Sequence, residues 1–163
     1  MENLTEKIYE AFDSKKCKGL LMLSQEFNET ELNIVKHLKP CCARLLGSES
    51  FDKVWEFLTT FEKLTFFIEK SGCIFEPSVV VAQGKDSNGY FNLFTEGTLH
   101  GHLKKENITN IALLNIPFMN LKSYQVAFFD KDGNTIFSLY LGRFNHKHRE
   151  EDINRFMDFF NNN

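Results

Sequence analysis

With 163 residues, 42% of them hydrophobic and 25% charged, the chain has the composition of one globular domain with a real core, which excludes disordered and fibrous classes. Its 19 basic and 22 acidic side chains leave a formal net charge of −3, so it has no electrostatic footprint for nucleic acid or an anionic membrane. No apolar run approaches the ~18 residues of a membrane span, and the polar, acidic start Met1-Glu2-Asn3-Leu4-Thr5-Glu6 does not read as a secretory leader, so a cytoplasmic protein without membrane insertion is expected.

Along the chain, Leu4, Ile8 and Phe12 recur at helical spacing, and Leu20 to Leu23 form a short apolar block. Asn28 stands three residues before Glu31, which predicts a capped start for a helix carrying Leu32, Val35 and Leu38 and ended by Pro40. Another helix is predicted from near Ser50, with Phe51, Val54, Trp55 and Leu58 on one face. After Leu64 the period becomes that of strands. Leu64–Ile68, Cys73–Glu76, Val79–Ala82, Tyr90–Phe94, Thr98–Leu103, Asn110–Leu114, Tyr124–Phe129 and Thr135–Leu141 are short, rich in β-branched or aromatic residues, and bounded by turn residues. In the clearest turn, Asp130-Lys131-Asp132-Gly133-Asn134, Gly133 can take the positive φ that closes a hairpin. Ile153, Phe156, Met157 and Phe160 return to helical spacing. The expected fold class is α+β in a single domain over 1–163, with helices over 1–62, an antiparallel sheet over 63–143 and a C-terminal helix in 144–163.

The helix pair around Gln25–Leu38 has the outline of a helix-turn-helix, but Glu26, Glu29 and Glu31 would face phosphate, so a structural pair is expected. The chain has no GxSxG, HExxH, Walker or GxGxxG pattern, which disfavours an independent hydrolase or kinase. Cys17, Cys41, Cys42 and Cys73 lack CxxC spacing and are expected as reduced thiols, since adjacent Cys41 and Cys42 could close only a strained ring. The 18 phenylalanines predict a core or subunit interface before a pocket for a flat ligand. His37 is expected on a solvated helix face, and His146 and His148 in a solvated turn around Lys147. His100 and His102 differ, because on one strand they project from the same side, with Gly101 between them permitting close approach and Tyr90 nearby in sequence. Such a pair is either an ordinary polar face or a ligand set for a transition metal or haem iron, and no third metal ligand is evident.

In order, Phe51-Asp52-Lys53-Val54-Trp55, Gly89-Tyr90-Phe91-Asn92-Leu93, Gly101-His102-Leu103, Glu106-Asn107, Ile111-Ala112-Leu113-Leu114, Phe118-Met119, Phe128-Phe129, Gly133 and Leu141-Gly142-Arg143 resemble the intracellular haem-utilisation carriers of the HutX/ChuX type, in the HemS-like superfamily. The resemblance implies a curved antiparallel sheet flanked by helices, a homodimer, and haem as the ligand in haem uptake and iron acquisition. It implies His102 as the iron-facing residue, Tyr90 and Asn92 in the Tyr-Phe-Asn motif of the haem site, and Arg143 as the partner of a haem propionate. Glu69 departs from the family pattern, which has histidine at the end of the strand after the Trp55 helix; a second axial contact would then come from Tyr90 or His100. A haem importer or a haem-degrading enzyme is the implied donor or acceptor. The larger haem-degrading proteins of the superfamily resemble two such units fused, so haem degradation is the alternative activity, and a flavin-binding module is a third.

Overall fold

Local chemistry starts the first helix, α1 (Leu4–Asp13): the Asn3 side chain accepts the Thr5 N–H at 3.2 Å, and Glu6 accepts the Asn3 N–H at 3.1 Å. A computed structural model describes residues 3–94 and 96–163. Two further helices follow, α2 (Leu20–Phe27) and α3 (Glu31–Lys36). Asn28 does not start α3 as expected but ends α2, in the left-handed conformation that asparagine tolerates. Thr30 takes the capping role, its hydroxyl accepting the Asn33 N–H at 3.2 Å. The later helices match their spacing: α4 (Phe51–Leu58) buries Phe51, Val54, Trp55, Phe57 and Leu58, and α5 (Glu150–Asn161) buries Phe156 and Phe160.

The strands are β1 (Ala43–Gly47), β2 (Leu64–Lys70), β3 (Cys73–Phe75), β4 (Ser78–Val79), β5 (Lys85–Ser87), β6 (Tyr90–Leu93), β7 (Gly101–Leu103), β8 (Asn110–Phe118), β9 (Leu121–Phe129) and β10 (Thr135–Leu141). They form two antiparallel sheets where a single meander was expected. The larger runs β1-β8-β9-β10-β2-β3, with β4 also on β2; the smaller runs β5-β6-β7. Strand β1 comes from the segment expected to be helical, because β8 presents unpaired backbone groups that Ala43–Gly47 satisfies from Leu114 to Asn110. The β8–β9 hairpin is longer than its apolar runs suggested and reaches Phe118 opposite Leu121. Pro117 lies beyond the end of β1, whose pairing stops at Ala43 opposite Leu114, so β1 asks no N–H of it. Gly133 takes φ 83 in the predicted turn, where Asp130 accepts the N–H of both Asp132 and Asn134 at 2.9 Å.

Alternation along the strands divides the core in two. Ile111, Leu113, Val126, Phe128, Phe137 and Leu139 face α4 and α5, whereas Ala112, Leu114, Ile116, Ala127 and Phe129 face the N-terminal helices. Most of the aromatic excess is core, as expected: Trp55 stacks on Phe51, and Phe128 on Phe137.

Candidate functional site

The small sheet docks through one face. Phe91 meets Phe51 at 5.1 Å and Trp55 at 5.4 Å between ring centres, both edge to face, while the Trp55 indole donates to the Ala82 carbonyl at 3.0 Å. Because Phe91 points inward, Tyr90 and Asn92 lie on the opposite face. Pairing sets Asn92 directly across from Lys85 on β5 and from His102 on β7.

That register builds an oriented imidazole. The Asn92 amide donates through Nδ2 to the carbonyls of Lys85, Ser87 and Tyr90, each at 3.0 Å, so its Oδ1 faces His102 Nδ1 at 2.7 Å. An amide oxygen only accepts, so the His102 proton belongs on Nδ1 and the Nε2 lone pair is left free. Asn92 is buried, whereas His102 is exposed. Tyr90 and Phe94 flank the imidazole edge-on at 6.0 and 6.3 Å, with 40% and 52% of their surfaces exposed. Lys104 completes the platform, its Nζ 5.2 Å from the Tyr90 ring centre and 3.3 Å from Glu106. The face thus combines an available nitrogen ligand, exposed aromatic surface and a cation at the rim. Sequence alone does not single out Lys104, which directly follows the end of β7.

The other expected site residues are distributed differently. His100 is exposed and precedes β7, which begins at Gly101, so strand alternation does not pair it with His102. Among the described residues, no group of three His, Cys, Asp or Glu side chains could hold a metal ion. The Glu69 carboxylate is occupied by the Gly72 N–H in the β2–β3 turn.

Arg143 lies away from His102, lining a cavity of about 650 Å³ on the α2 side of the large sheet. Leu21, Met22, Phe67 and Phe118 give it apolar walls; Lys18, Lys63 and Arg143 give it cations. Arg143 donates to the carbonyls of Lys122 at 3.3 Å and His146 at 3.5 Å. Gly142, just after β10, lets the chain approach the residue before β2, since a Cβ there would stand 2.7 Å from the Lys63 carbonyl. Burial, first of all, holds the Tyr140 hydroxyl at this cavity well above its ordinary pKa, with Glu31 and Glu76 adding to it.

His146 is exposed as expected, but His148 is not in a solvated turn. It is half-buried beside the cavity, packed edge-on against Tyr124 at 5.6 Å, with Nδ1 2.9 Å from the Gly142 carbonyl. Burial lowers its pKa and the Arg143 charge lowers it further, against the opposing Gly142 carbonyl, Lys122 backbone and Asp152. The charged neighbours in sequence concealed this, because only the fold carries His148 back onto Tyr124. His37 is likewise half-buried, its Nδ1 2.8 Å from the Asn33 carbonyl. No helix among the described residues is long and apolar enough to cross a membrane.

Comparison with known proteins agrees with this architecture. The intracellular heme transport protein HutX of Vibrio cholerae is 32% identical over 144 residues, covering 88% of this chain and 75% of that protein. The structure of the heme binding protein ChuX superposes with a TM-score of 0.84 at 27% identity, covering 98% of both chains. The Escherichia coli heme oxygenase ChuS shares the fold at 16% identity with a TM-score of 0.77; the match covers 98% of this chain but 49% of ChuS. The profile of the family "Haem utilisation ChuX/HutX" matches residues 44–159, and the chain belongs to that family.

Proposed function

We propose that this chain is a haem carrier of the cytoplasm, taking up haem and passing it on during iron acquisition, with His102 Nε2 as the iron ligand. The observation that supports this most is the Asn92–His102 hydrogen bond of 2.7 Å, because a ligating histidine needs its other ring nitrogen anchored to fix tautomer and direction. Tyr90 and Phe94 offer surface to the macrocycle, and Lys104 offers a cation to a propionate. The relatives' names, a heme transport protein and a heme binding protein, point the same way.

The energetics suit transfer. Covering ~400 Å² of porphyrin at about 25 cal/mol per Å² is worth roughly 10 kcal/mol, against association costs of about 4–15 kcal/mol. One iron ligand on an exposed face makes binding useful while leaving the cargo removable. We also propose that the chain works as the homodimer that the family resemblance implies; sedimentation of the haem-free and loaded chain tests this, and a monomer in both states would overturn it.

A second placement is favoured by the cavity at Arg143, whose apolar walls and cations suit the macrocycle and its carboxylates. Hemin titration followed by absorbance separates the two. With iron on His102, His102→Ala weakens binding and shifts the Soret band, while Arg143→Ala leaves the band in place. A band unchanged in His102→Ala, with binding weakened in Arg143→Ala, would move haem to the cavity.

A further inference from the structure

At the junction of α3 and β1, Cys41 and Cys42 point the same way, their sulfurs 3.7 Å apart. Both are free thiols; Cys41 is exposed and Cys42 half-buried. This separation is far beyond the ~2.05 Å of a disulfide. It matches the roughly 3.8 Å spanned by two sulfurs each about 2.3 Å from one tetrahedral ion.

The surroundings hold this geometry. The Cys42 N–H donates to the Lys39 carbonyl at 2.8 Å, and the Cys42 carbonyl accepts the Asn115 N–H, beyond the end of β1, at 2.8 Å. The Tyr9 hydroxyl oxygen accepts the Lys39 N–H at 2.6 Å, which ties the turn before Cys41 to α1. The Lys39 ammonium lies over the same ring, its Nζ 4.1 Å from the Tyr9 ring centre.

We propose that Cys41 and Cys42, whose sulfurs stand 3.7 Å apart, form a binding site for a thiophilic divalent cation of the zinc and cadmium class. Two neutral thiols exchange their two protons for one divalent ion, so the site stays neutral, two protons are released, and affinity rises with pH. No acidic or imidazole side chain completes the set among the described residues, so the remaining positions take solvent. This site is independent of the haem reading.

The test is an anaerobic titration of the reduced, haem-free chain with cadmium chloride, read by the thiolate-to-cadmium charge-transfer band. One cadmium per chain is expected in the native protein and in Cys73→Ser, which removes the other exposed thiol. Cys41→Ser and Cys42→Ser should lose the band. Cys41 is exposed, so its variant keeps the fold, checked by circular dichroism. Absence of saturable binding in the native chain, its persistence in Cys41→Ser, or its loss in Cys73→Ser would overturn the proposal.

Discussion

Replacing Asn92 by alanine separates what holds the small sheet from what aims His102. The side chain is 7% exposed, donates to three carbonyls and accepts from His102. An amide has two N–H groups, so at about 1 kcal/mol for each net hydrogen bond the loss is about 2–3 kcal/mol of stability. For a chain of this length that lowers Tm by about 4–12 °C. Freed from Asn92, the imidazole loses its fixed tautomer and direction, and haem affinity falls about 10-fold or more. Asn92→Asp keeps an acceptor for His102 but sets a carboxylate against the three carbonyls. Its stability should fall at least as far as in Asn92→Ala, while haem affinity falls less. Urea unfolding and hemin titration well below Tm measure the two effects separately. The reasoning fails if folded Asn92→Ala binds haem with native affinity and Soret position, or if Asn92→Ala still weakens binding in a His102→Ala background.

Trp55→Ala should cost about 3–5 kcal/mol in chemical denaturation, since it empties a fully buried site between Phe51 and Phe91 and leaves the Ala82 carbonyl without its donor. His148 has a folded pKa below its ordinary 6.5, so the unfolded chain binds the proton more readily. Its contribution is complete above 6.5 and is lost as pH falls toward the folded value; urea midpoints should drop over that interval, and His148→Gln should flatten the drop. With a reductase present and peroxide scavenged, the haem-loaded chain should keep its Soret band, whereas a biliverdin-like product with iron release would assign it haem degradation instead.

The candidate site was legible in part. His102, Tyr90 and Asn92 were singled out from sequence, and the small sheet brings all three together. Arg143 was expected with them but lines the cavity on the α2 side of the large sheet, which chain order conceals because β10 and β7 belong to different sheets. His148 shows the reverse: charged neighbours made it look solvated, while packing against Tyr124 half-buries it.

Local chemistry determined much by itself. Helical spacing in Phe51–Leu58, strand spacing in Thr135–Leu141 and the Gly133 turn rest on contacts between near neighbours, and those neighbours are written in the chain. Tertiary structure decided the rest. Ala43–Gly47 became a strand because β8 had an edge to fill, and Asn28 yielded its capping role to Thr30 because α2 ended on it. His102 acquired its orientation because pairing placed Asn92 opposite it, and Asn92 was itself fixed by two carbonyls of β5 and that of Tyr90 at the start of β6. Such placements depend on which backbone groups remain unpaired once the sheets assemble, a property of the whole fold rather than of any segment.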